Sequence, residues 1–118
     1  MRGASLFGGS VLLVAALGLS GCRSRYVEAT VHNGSGAEVT VVEVDYPSAS
    51  FGKETLADGA DYHYRFKIQG DGALKVLWTD KGNQDHSVAG PPLQEGDEGT
   101  LRVTIGAADA KWDLKVAK

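Results

Sequence analysis

From Val27 onward, apolar and polar residues alternate with a period of two. Tyr62, Tyr64, Phe66 and Ile68 are interleaved with Asp61, His63, Arg65 and Lys67. Successive side chains of a strand point to opposite faces, so such a run predicts a β-strand with one buried face. Val27, Ala29 and Val31 alternate with Glu28, Thr30 and His32, and Leu101, Val103 and Ile105 with Thr100, Arg102 and Thr104. Trp112, Leu114 and Val116 do the same among Lys111, Asp113 and Lys115. Leu74, Val76 and Trp78 share one face of another run, and Val39 to Tyr46 is rich in β-branched residues, with Val42, Val44 and Tyr46 as its inward set. Six strands are predicted, with a seventh over residues 50–56. Turn residues separate them. Asn33-Gly34-Ser35-Gly36 predicts a hairpin between the first two strands. Gly70-Asp71-Gly72 joins Ile68 to Leu74, and Asp80 to Asn83 closes the strand that follows. Gly90-Pro91-Pro92 and residues 95–99 bracket a short segment around Leu93.

The fold class expected is all-β: a small antiparallel β-sandwich of about seven strands, immunoglobulin-like in size. No helical period is sustained in this part of the chain, and residues 107–110 allow one turn at most. The inward set comprises Val27, Val31, Val42, Val44, Tyr62, Tyr64, Phe66, Ile68, Leu74, Val76, Trp78, Leu101, Val103, Ile105, Trp112 and Leu114. Apolar burial must hold the domain together, because the chain has a single cysteine and cannot form an intrachain disulfide.

The first residues follow another pattern. Arg2 precedes a run from Leu6 to Leu19 that carries no charge. It is shorter than the roughly 20 apolar residues of a spanning helix and matches a secretory signal helix. The run closes in Leu19-Ser20-Gly21-Cys22. This motif resembles the lipobox of bacterial lipoproteins: an apolar residue, two small ones, then cysteine. The resemblance covers residues 1–22 only. It implies diacylglycerol transfer to the Cys22 thiol, cleavage after Gly21, and a protein held on the membrane by its N-terminal lipid. Arg23 stands where an Asp often marks inner-membrane retention, so the resemblance implies the outer membrane if the organism has one. The division expected is a signal peptide at 1–21, an acylated cysteine and short tether at 22–25, and a sandwich domain at 26–118.

Composition narrows the function classes. At 118 residues, the chain has room for one domain. A net charge of −3 argues against nucleic acid as a partner. The histidines His32, His63 and His86 lie far apart in sequence, with His86 in a loop, and the cysteine belongs to the lipobox, so no metal or other cofactor is expected. No Gly-x-Ser-x-Gly elbow presents a serine, and no catalytic activity is expected. Asp80, Asn83 and Asp85, with Glu95, Asp97 and Glu98, form two acidic clusters that lack the EF-hand spacing. His63, Arg65 and Lys67 share the polar face of one strand and are the candidate surface contact for an acidic partner. The expected function is a non-catalytic, membrane-anchored envelope protein that binds, adapts or supports at the membrane surface, with an envelope protein as a possible partner. One alternative is a carbohydrate- or small-ligand-binding sandwich, favoured by exposed aromatic rings among Tyr46, Tyr62, Tyr64, Trp78 and Trp112. The other is a metal-binding envelope protein, which requires histidines or the two acidic clusters to converge.

Overall fold

The computed structural model describes residues 25–117; Cys22, the signal segment and Lys118 lie outside them. Eight strands form two four-stranded sheets. In chain order they are β1 (Val27–Asn33), β2 (Val39–Tyr46), β3 (Ala49–Leu56), β4 (Asp61–Phe66), β5 (Gly72–Thr79), β6 (Asp85–Leu93), β7 (Gly99–Ile105) and β8 (Ala110–Val116). Sheet A has the order β4-β1-β7-β8 and sheet B the order β3-β2-β5-β6. The domain is therefore the expected all-β sandwich. All pairings are antiparallel except β1 with β7, which run parallel from Val27 opposite Gly99 to Asn33 opposite Ile105. Among the described residues no helix is long and apolar enough to cross a membrane.

The alternation read along the chain becomes the core. Val27, Ala29 and Val31 of β1 and Leu101, Val103 and Ile105 of β7 are buried against Leu74, Val76 and Trp78 of β5 and Val39, Val42 and Val44 of β2. Each buried valine, leucine or isoleucine side chain contributes about 1.5–3 kcal/mol. β2 keeps both Val39 and Val42 inward, which strict alternation forbids. A bulge provides the change of parity: the β2–β5 register shifts between Thr40 and Glu43, and Val41 adopts φ 51° with its side chain 63% exposed. Two opposed residues on one strand against one on its partner reverse which face the following side chains take. Gly52 lies beside this bulge, where a Cβ would collide with the Val42 carbonyl oxygen.

Several sequence expectations are corrected. Asn33-Gly34-Ser35-Gly36 is not a hairpin, because β1 and β2 belong to different sheets. It is a crossover, and Asn33, fully buried, ties it down. The Asn33 Nδ2 donates to the carbonyls of Ala37 at 2.8 Å, Leu56 at 3.0 Å and Ala57 at 3.2 Å. Its Oδ1 accepts from the Ser35 amide at 3.0 Å and hydroxyl at 2.7 Å. One side chain thus joins the β1–β2 and β3–β4 crossovers. The segment around Leu93 is the end of a full strand, β6, which contains Gly90, Pro91 and Pro92. β6 is an edge strand, so its proline nitrogens need no outer partner, and the β5–β6 register shifts between Ala73 and Lys75. β4 stops at Phe66 rather than Ile68, although Ile68 is still buried. Tyr64 has the inward parity of Phe66 but is 40% exposed. It lies on edge strand β4 facing edge strand β3, where sheet B ends and gives only partial cover.

Candidate functional site

β1, β3, β5 and β7 all begin at the end of the sandwich where Arg25 and Tyr26 lead into β1; β2, β4, β6 and β8 finish there. We call this the entry end. The far end carries the β1–β2 and β3–β4 crossovers and the β5–β6 turn.

The candidate contact residues divide between the outer face of sheet A and the entry end. On that face the pairing sets up cross-strand rows: Arg65, Glu28, Thr100 and Lys115; then His63, Thr30, Arg102 and Asp113; then Asp61, His32, Thr104 and Lys111. Opposite groups meet, as on any solvated sheet face. Arg65 Nε lies 3.7 Å from Glu28 Oε1, and Thr30 Oγ1 is 3.0 Å from His63 Nδ1. His32 Nδ1 is 2.6 Å from Asp61 Oδ1, and Arg102 is 3.9 Å from the same oxygen. The hydrogen bond from His32, then the charge of Arg102, holds the Asp61 carboxyl below its ordinary range. His63 and Arg65 therefore belong to this array. Lys67 lies past the end of β4 and belongs to the entry end.

Arg65 and Lys67 meet again on the ring of Tyr26. The Arg65 guanidinium carbon is 4.3 Å from the ring centroid and the Lys67 Nζ 5.4 Å, both within cation–π range. Beside them opens a cavity of about 520 Å³, lined by Arg25, Tyr26, Lys67, Ile68, Glu95 and Gly96 among others. Gly96 has φ 83°, a conformation glycine adopts without strain, and the Arg25 guanidinium approaches the place its Cβ would take to 3.6 Å. Its amide donates to the Ile68 carbonyl, tying the β6–β7 turn to the segment after β4. The Glu95 Oε1 accepts the Gly70 amide at 3.0 Å, and the Glu95 amide donates to Asp71 Oδ1 at 2.9 Å. Sequence reading singled out Lys67 and Glu95 separately but not their convergence with Arg25, since three segments far apart in the chain build the cavity.

The two acidic clusters lie at opposite ends and do not converge. Asp80 closes the β5–β6 turn: its Oδ1 accepts the Gly82 and Gln84 amides, and its Oδ2 is 2.8 Å from His86 Nε2. The His86 bond, followed by the Gln84 amide, lowers the pKa of Asp80. His86 is not a loop residue. It lies in β6 with its ring stacked on Trp78, centroids 5.0 Å apart. Asp85 accepts from the Thr79 hydroxyl and Asp97 from the Gln94 amide. These carboxylates are occupied in closing turns. Among the described residues no group of three or more His, Cys, Asp or Glu is placed to hold a metal ion.

The aromatic residues seal the two open edges of the sandwich. At the β3–β4 edge, Tyr46 meets Phe66 at 4.3 Å and Tyr64 stacks on Phe51 at 4.6 Å. Burial, with the nearby Tyr64, raises the pKa of the Tyr46 hydroxyl. At the β6–β8 edge the Trp112 ring covers Gly90 so closely that a Cβ there would lie 2.6 Å from it.

No protein-family model matches the chain, and no curated protein matches it. Among solved structures, the chain is similar to a protein from Eubacterium rectale determined by NMR. The two are 10% identical with a TM-score of 0.56, over 80% of this chain and 93% of that one. At that identity the likeness shows a shared fold and nothing further.

Proposed function

We propose that this protein is a lipid-anchored, non-catalytic component of a bacterial cell envelope that works at the membrane surface with its entry end toward the bilayer. The observation that carries the reading is where the first strand begins. Only four residues, Arg23 to Tyr26, separate the lipobox cysteine from Val27. An extended chain reaches at most about 3.3–3.6 Å per residue, so an acyl chain on Cys22 keeps the sandwich within a few residue lengths of the headgroups. Two or more acyl chains give stable attachment where one does not. Arg25 and Lys67 then lie near headgroup level, where each cation contributes about 1 kcal/mol against an anionic surface. Asp80, Asp85 and Asp97 act as acceptors in turns and the histidines as hydrogen-bond and packing partners, which supports a binding or structural role. Growing cells on a palmitate analogue tests the anchor: label is expected in the wild-type chain and absent from Cys22→Ser. Label retained in Cys22→Ser would refute the lipoprotein reading.

A second reading has one observation in its favour. The exposed Tyr64, with half-buried Tyr62 beside it, presents ring surface at the β3–β4 edge, as a sugar-stacking site would. Binding of envelope glycan fragments that is lost in Tyr64→Ala would support it; binding unaffected by that change would exclude this edge.

A further inference from the structure

We infer that the entry-end cavity is a binding site for the headgroup of a membrane phospholipid, its phosphate received by Arg25 and Lys67 and an ethanolamine ammonium by Glu95. This inference rests on the membrane-surface reading and names the ligand of that same end. Four observations converge.

The cavity, about 520 Å³, is large enough for a headgroup, and its wall includes two cations, one carboxylate, an aromatic ring and the buried Ile68. Among the described residues neither cation makes an ion pair; Lys67 and Arg65 rest on the Tyr26 ring, and Arg25 lies over Gly96. Both cations are thus left without a carboxylate partner, as recognition of a phosphate requires. Glu95 is fixed by the Gly70 amide on one oxygen. It is the one negative charge among the lining residues, set in the same wall as the two positive ones, the charge set that complements a zwitterion. The fourth observation is position: Arg25 and Tyr26 both line the cavity and lead directly from the lipobox segment into β1. A lipid bound there needs to leave the bilayer by no more than its headgroup.

The test uses the full chain purified from membranes in maltoside micelles, which contain no phosphate. Phosphatidylethanolamine, phosphatidylglycerol, diacylglycerol and inorganic phosphate are titrated separately, and shifts are read at the Arg25 Nε–H and the Gly96 amide. Both phospholipids are expected to shift these signals, phosphatidylethanolamine at the lower fraction. Arg25→Gln combined with Lys67→Gln should raise the half-saturating lipid fraction by about tenfold or more, as expected for removing two cations from a headgroup. Lys81→Gln at the far end should leave it unchanged, and Glu95→Gln should abolish the preference for phosphatidylethanolamine. Undisturbed signals from the core valines certify the fold of each variant, and Arg25→Gln alone serves if the double variant loses them. Equal response to inorganic phosphate or to diacylglycerol, or wild-type binding by the Arg25/Lys67 variant, would overturn the inference. The intact mass of the same sample reports acylation separately. An acylated chain with no headgroup shifts refutes this site alone, and a non-acylated chain with them refutes the anchor alone.

Discussion

Replacing Asn33 with Ala removes one side chain that makes five hydrogen bonds at the junction of two crossovers. The three carbonyls of Ala37, Leu56 and Ala57 lose their shared donor, and the Ser35 amide and hydroxyl lose their acceptor. Only the bond to the Leu56 carbonyl is fully buried; the other four are partly accessible. Water can replace partners at the accessible sites but not at Leu56. A buried polar group left without a partner costs about 1–3 kcal/mol, and an ordinary hydrogen bond contributes about 0.5–1.5 kcal/mol. One orphaned acceptor and a partial loss at the others give an expected destabilisation of about 2–4 kcal/mol. Against a total stability of about 5–15 kcal/mol for a domain, that is readily measured. Urea denaturation followed through the emission of buried Trp78 is the assay, with Gln84→Ala, at an exposed turn, as a control expected to change stability by less than about 0.5 kcal/mol. Asn33→Asp keeps the acceptor but not the donor, and should be at least as damaging as Ala because it also buries charge. A loss below about 0.5 kcal/mol for Asn33→Ala would refute the claim that this residue joins the crossovers.

Gly90→Ala should destabilise by about 1–3 kcal/mol, because the new methyl must displace the Trp112 ring; a rise in stability by denaturation would show that this edge is open. Val41→Gly should stabilise the fold or leave it unchanged, since a β-branched residue at φ 51° is strained and its exposed side chain contributes little packing; a clear loss on thermal melting would mean the side chain is held by contacts. The carboxyls of Asp61 and Asp80 are depressed below their ordinary value of 3.8, so their contribution is present above that value and lost as pH falls through the folded-state pKa. Asp61→Asn should flatten the acid limb of the stability profile below about pH 4, which equilibrium denaturation across that range will show.

Strand identity was legible where one face is buried against a second sheet and the other is wet, as in β1, β5 and β7. Alternation there is a direct consequence of the pleat. It failed where a local rule was overridden by position in the sheet. Pro91 and Pro92 argue against a strand, yet an edge strand with a register shift accepts them, so β6 went unread. Asn33-Gly34 has the chemistry of a hairpin turn, but local sequence does not record that the next strand joins the opposite sheet. Tyr64 obeys parity and still faces water, because parity gives the direction of a side chain and not the extent of the sheet opposite. Val41 reverses parity through a bulge that no glycine on its own strand announces; the glycine beside it, Gly52, lies on β3. The entry-end cavity was the least legible feature. Its residues come from the approach to β1, the exit of β4 and the β6–β7 turn, and only the three-dimensional pairing brings these together.

The orientation of the sandwich on the membrane is the claim on which the functional account depends. The acylated full chain, reconstituted into vesicles whose headgroups carry a paramagnetic label, reports it through relaxation of backbone amides. The account predicts the strongest broadening at the entry end, at Ser48, Asp71 and Gly96, and little at Gly36, Gly59 and Lys81 of the far end. Broadening strongest at the far end, or equal at both, would contradict it.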